Sequence, residues 1–190
     1  MTKKQKGFTL IELLVVIAIV AVLSVVVILT LNPAELLKQA RDSNRVSDLS
    51  TVKSAVALYL ADGQTTWNVT STWCYATTST APARCGGYFG TQVTATSTGS
   101  GTAAANNGTG WVPLNFAAIT SGAPFGQLPL DPLNNSQYFY AFNGTSTNNS
   151  FKLGANMESG KYANGGTGDV ETTDGGTVTT VYEVGTLLSL

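Results

Sequence analysis

Few residues in this chain are of types that carry chemistry, and their placement is uneven. There is no histidine among the 190 residues, which removes imidazole base catalysis and His-ligated metal sites. The cysteines are two, Cys74 and Cys85. Asp169, Glu171 and Asp174 fall in a Gly-rich stretch and are the acidic group to weigh for calcium. Their spacing does not follow an EF-hand loop, so a solvated acidic loop is the expectation and no metal is assigned. Gly160-Lys161 lacks the spaced glycine of a phosphate-binding loop. No nucleophile has a base beside it in the sequence pattern, so no catalytic residue, no cofactor and no enzyme activity are expected. The residue that needs explaining is Glu12. It stands at the head of an apolar run, where a charge at bilayer depth costs about 2.5–3.5 kcal/mol or more.

The elements that hold these residues follow from composition. Formal net charge is −1, and three of the ten basic residues are Lys3, Lys4 and Lys6. Nothing resembles the clustered Lys and Arg of a nucleic-acid footprint. Leu13 to Leu31 is interrupted only by the hydroxyls of Ser24 and Thr30. As a helix this run spans roughly 28 Å, near the thickness of a bilayer's hydrocarbon core. Lysines directly before it predict a cytoplasmic N-terminus and an outward-facing remainder, on a single membrane pass. No small-x-small cleavage site follows, so an ordinary secretory signal is not expected.

With the motif KGFTLIELLVVIAIVAVL in view, the N-terminus resembles that of type IV pilins and of type II secretion pseudopilins. The resemblance covers residues 1–62 and implies a leader, residues 1–7, removed by a prepilin peptidase that cuts after Gly7 and methylates the new amine on Phe8. It implies that Glu12, fifth in the product, meets the Phe8 amine of a neighbouring subunit during assembly. Low dielectric strengthens such a pairing, and the pairing relieves the cost of the buried charge. The alternative is a Glu12 that only snorkels to the interface. The implied partners are other copies of the chain, the peptidase/methyltransferase, a pilus or secretion assembly platform and the membrane. The implied function is a structural subunit of a type IV pilus-like filament. A periplasmic pseudopilin is the alternative within the family, and a signal-anchored surface adhesin lies outside it. The expected location is the cytoplasmic membrane as precursor, then an extracellular pilus or a periplasmic pseudopilus.

The fold expected is α+β, with a long N-terminal helix packed on a small antiparallel sheet. Residues 8–31 form the transmembrane and assembly half. Residues 32–63 form an amphipathic half, with Val46, Leu49, Val52, Val56 and Tyr59 or Leu60 on one face. Lys38 and Asp42 are expected to pair on the solvated side. Gly63 marks the stop, and Pro33 a kink or interruption. Without a break the helix from Phe8 to Asp62 would be roughly 80 Å long. Residues 64–127 are a variable loop region containing the cysteines. Two lone cysteines seldom bind zinc, and on an exported segment a Cys74–Cys85 disulfide is the expectation. Trp67, Trp73 and Trp111 are expected as core or loop anchors, and 91–110 is low in complexity. Residues 128–190 form the sheet, with strands over 137–144, 150–159 and Val178–Val184 and a short one near Val170. The Asn-x-Ser/Thr triplets at Asn68, Asn107, Asn134, Asn143 and Asn148 are chance matches in so Asn-rich a sequence.

Overall fold

A computed structural model describes residues 7–64, 69, 71–78, 85–89, 95–98 and 104–190. The three leader lysines, Trp67, Asn68 and part of 91–110 lie outside the described residues. The chain divides into two units, Met1–Leu37 and Lys38–Leu190.

The first unit is built on α1, Leu10–Leu31. Its apolar side chains from Leu10 to Ile28 are exposed, and Leu10–Ile28 is long and apolar enough to cross a membrane. The two hydroxyls inside the run are satisfied locally. Ser24 Oγ donates to the Val20 carbonyl at 2.7 Å, and Thr30 Oγ1 reaches the carbonyls of Val26 and Val27 at 3.0 Å. Such back-bonding leaves no hydroxyl unpaired in hydrocarbon. The helix stops at Asn32, which takes φ 40 and ψ 72. Pro33 disfavours helical backbone in the residue before it, and asparagine tolerates the left-handed region. Pro33 then opens a second helix, α2, Pro33–Ala61. At a first helical position its missing N–H costs nothing. Asn32 starts that helix too, because its carbonyl accepts from Glu35 and Leu36 at 3.0 and 3.3 Å. The interruption expected at Pro33 is thus a one-residue break at Asn32, between two helices.

In the second unit α2 buries Asp42, Arg45, Leu49, Val52, Ala55, Val56 and Tyr59. Four of these were expected. Val46 is only partly buried, and its neighbour Arg45 takes the inward place. Asp42 is not on the solvated side as expected but fully buried. Its carboxylate accepts from Arg45 at 2.6 Å and from the backbone N–H groups of Glu158 and Ser159 at 2.9 and 2.7 Å. Gly63 ends the turn after α2 with φ 77, a backbone that a side chain would strain.

The sheet has five strands in the order β2-β1-β3-β4-β5. They are β1 Trp73–Ala76, β2 Ala95–Thr98, β3 Tyr140–Thr145, β4 Ser150–Ala155 and β5 Tyr182–Gly185. Four of them, β1, β3, β4 and β5, pair antiparallel; β2 adds to the edge parallel to β1. A short helix, α3 (Cys85–Phe89), lies in the β1–β2 connection. The sheet is thus fed by two strands from the region read as loop.

The hairpin is tighter than expected. Thr145 pairs with Ser150, leaving four residues to turn, with Asn149 at φ 53. Residues 137–139 stay out of the strand because Asn135 Oδ1 accepts the N–H groups of Gln137 and Tyr138 at 2.8 and 2.9 Å. The last strand begins four residues after Val178, since Val178 enters a turn closed by the Val181 N–H at 3.2 Å. Val170 forms no strand; its N–H bonds to Tyr162 at 3.0 Å.

Period-2 alternation gives the sheet two buried faces. Tyr75, Tyr140, Phe142, Phe151, Leu153 and Ala155 join the α2 residues and Trp111 in one core. Cys74, Ala76, Phe139, Ala141 and Val181 join Cys85, Tyr88 and Phe89 in the other. Trp111 is fully buried, with Nε1 donating to Pro129 at 2.9 Å, whereas Trp73 keeps 42% of its surface exposed.

Candidate functional site

Gly7, Phe8 and Glu12 come together at the start of α1. Gly7 lies in non-helical backbone, and a Cβ there would meet nothing within 4 Å. Phe8 is 87% exposed. On the described side, the Gly7–Phe8 bond is non-helical and exposed. Thr9 then caps the helix, with φ −78 and ψ 153.

Glu12 is held by this cap. Glu12 Oε2 accepts the backbone N–H and the hydroxyl of Thr9, both at 2.7 Å, while Thr9 Oγ1 accepts the Glu12 N–H at 3.3 Å. This is a reciprocal capping box, which satisfies backbone donors that the first helical turn leaves orphaned. A carboxylate in the first turn also meets the positive end of the helix dipole. Glu12 thus has a local reason to sit at the head of an apolar helix, besides the expected partner on a neighbour. Thr9 is part of the motif, but its capping role is not among the expectations, though Thr-x-x-Glu before an apolar run is a readable signal.

Cys74 and Cys85 belong to the second unit, where they form a disulfide with a Cα–Cα distance of 6.0 Å. Both are fully buried. The bridge ties β1 to the first residue of α3, which places Tyr88 and Phe89 against the second face of the sheet.

The acidic stretch beyond Gly168 spends its carboxylates on backbone. Asp169 accepts from Gly165, Glu171 and Thr172 at 2.8, 2.9 and 3.0 Å and from the Thr172 hydroxyl at 2.6 Å. The Thr172 hydroxyl first, then these N–H groups, hold its carboxyl down at about 2. Glu171 is not solvated as expected; it is buried, and accepts the N–H groups of Met157 and Asn164, each at 2.9 Å. Burial pushes its carboxyl up. These groups fix a Gly-rich loop in place. Among the described residues there is no cluster of three or more His, Cys, Asp or Glu suited to a metal.

Two buried ionic groups are not among the expectations from the sequence. Arg45 is fully buried and bonds Asp131 and Asp42. Burial alone would push its guanidinium down, but Asp131 and then Asp42 raise it. Lys152 on β4 and Glu183 on β5 form the second, also without exposed surface.

Residues 2–28 match the family model described as the prokaryotic N-terminal methylation motif. The chain carries the prepilin signature. That signature spans the leader lysines, the Gly7–Phe8 junction, Thr9, Glu12 and most of α1, and it is shared by type IV pilin-like and pseudopilin precursors. Together with the apolar α1 it supports a membrane-anchored precursor. Proteins with this signature are structural and generally not enzymes. Neither a curated protein nor a solved structure matches the chain.

Proposed function

We propose that this chain is the structural subunit of a type IV pilus-like filament. It is stored in the membrane through α1, cut after Gly7, methylated on Phe8 and polymerised through its apolar helix. The observation that carries the reading is the methylation motif at residues 2–28, laid on a helix that exposes its apolar side chains. A helix apolar nearly all round belongs in lipid or among copies of itself, and both settings serve the two stages of such a subunit. The prepilin peptidase acts at Gly7–Phe8. The Phe8 amine of an incoming subunit then meets Glu12 of a neighbour.

Peptide mass spectrometry of the assembled protein tests the reading. The first residue should be Phe8 carrying a methylated amine. Met1, or a terminus beyond Leu31, in assembled material would overturn it. The same sample assigns the filament. Recovery of the chain in long filaments sheared from cells supports a pilus; confinement to the periplasm identifies a pseudopilus.

A further inference from the structure

Strands β4 and β5 hold an amine and a carboxylate sealed in the second face of the sheet. Lys152 Nζ pairs with Glu183 Oε1, and neither side chain has exposed surface. The Phe89 ring centre lies 5.5 Å from Nζ. Nζ also donates to the Leu188 carbonyl at 3.0 Å. Glu183 Oε2 accepts the Val178 N–H at 3.0 Å, whereas Oε1 makes no hydrogen bond beside its pairing with the amine. A second carboxylate borders the pair. Asp174 Oδ2 accepts the Glu183 N–H at 2.5 Å. A Cβ on Gly176 would overlap the Glu183 carboxylate and lie 3.0 Å from Asp174 Oδ1.

A buried ion pair regains little of what its desolvation costs, and often less than neutral groups of the same shape would give. The same burial holds amine and carboxyl carbon as permanent neighbours, and such enforced proximity replaces a very high concentration of reactant. We propose that Lys152 and Glu183 condense to an intramolecular isopeptide amide joining β4 to β5. The ammonium passes one proton to Oε1, giving an amine and an acid. The Nζ lone pair forms the bond to Cδ, and the bond from Cδ to Oε1 breaks. Oε1 leaves as water, carrying the proton it received and a second one from the nitrogen, to which it is paired. No oxidant or cofactor enters.

The surroundings fit the product as well as the reactants. The one N–H left on the new amide is that of Nζ, and Leu188 already accepts from it. The oxygen retained is Oε2, which already accepts from Val178. The atom expelled is the one without a hydrogen bond.

The test is a denaturing proteolytic digest of the purified full chain, read by tandem mass spectrometry. A branched peptide containing both residues is expected, lighter by one water than its two arms, with no tryptic cut after Lys152. Lys152→Arg retains the charge pair but lacks a condensable amine, and should return two separate linear peptides. Glu183→Gln is no substitute, since its amide could release ammonia and give the same bond. Recovery of Lys152 and Glu183 from the unsubstituted chain only in separate, unmodified peptides would overturn the proposal.

Discussion

Arg45 and Asp131, 86 residues apart in sequence, form a bidentate pair with no solvent-exposed side-chain surface, Nε and Nη2 reaching the two carboxylate oxygens at 2.7 and 3.0 Å. The pair fastens α2 to the Leu-Pro-Leu-Asp-Pro stretch that leads into the sheet. Asp131 also accepts the N–H groups of Leu133 and Asn134 at 2.8 and 3.2 Å, so one carboxylate shapes that turn and anchors the helix.

Removing one side of this pair should be expensive. Asp131→Ala leaves a guanidinium buried with half its partners and is expected to cost about 3–5 kcal/mol. Arg41, which meets Glu158 at the partly exposed margin, should cost clearly less on replacement by Ala. Urea denaturation of a fragment comprising residues 38–190 reads both values. Equal losses would show that burial does not govern this cluster.

The disulfide should matter to the same fragment. Cys74 and Cys85 are 11 apart in sequence, and a bridge closing a loop of this order is worth about 3 kcal/mol by loop entropy. The double Cys→Ser variant is expected to lose a stability of that size in the same assay. Thiol titration of exported, folded protein should find no free thiol.

Asp48 predicts a pH dependence of known sign. Burial first, and then the charge of Asp131, raise its carboxyl, against a hydrogen bond from the Tyr140 hydroxyl at 2.7 Å. A folded-state value above the unfolded one means that folding favours the protonated form. The stabilising contribution is full below the unfolded value and is lost as pH rises through the folded one. Asp48→Asn keeps an acceptor oxygen for Tyr140 without the charge. Its Tm should exceed that of the unsubstituted protein at neutral pH, with the gap closing towards about pH 3, below the ordinary aspartate range. A gap that widens on acidification contradicts the assignment.

Glu12 has two roles that one substitution can separate. Glu12→Gln retains an oxygen to accept from Thr9 but carries no charge; Glu12→Ala loses both. Cleavage after Gly7 should survive in each. If the partner is a protonated Phe8 amine, both variants should be under-represented in filaments when coexpressed with the unsubstituted chain. Normal incorporation of the Gln variant would leave Glu12 as a helix cap and nothing more.

What was readable in the sequence was whatever local pattern decides. The 3- and 4-residue spacing of Leu49, Val52, Val56 and Tyr59 located the packed face of α2, and alternation located the hairpin around Phe142 and Phe151. The lysines, the Gly7–Phe8 junction and Glu12 were legible because they form one contiguous motif. β1 was not, since Trp-Cys-Tyr-Ala is too short to show alternation and is made a strand by a partner about 65 residues on. Arg45 gives no local signal, because a charged residue on a helix is ordinarily solvated. Its burial depends on Asp131, which only the tertiary fold brings near. Lys152 and Glu183 sit in strands whose alternation marks them as outward-facing, and become interior only because α3 and its disulfide cover that face.

The strand order has a consequence for export. β1 lies between β2 and β3, yet β3 begins at Tyr140; in the proposed topology, with the N-terminus held in the cytoplasm, β1 and β2 would cross the membrane well before β3. Until then β1 can pair only with β2, and its other edge presents unsatisfied N–H and C=O groups to whatever lies nearby. Pairing across so long an interval is also slow. For the exported subunit proposed here, each copy would pass through an interval with an open β1 edge, in which pairing with another chain competes with pairing to β3.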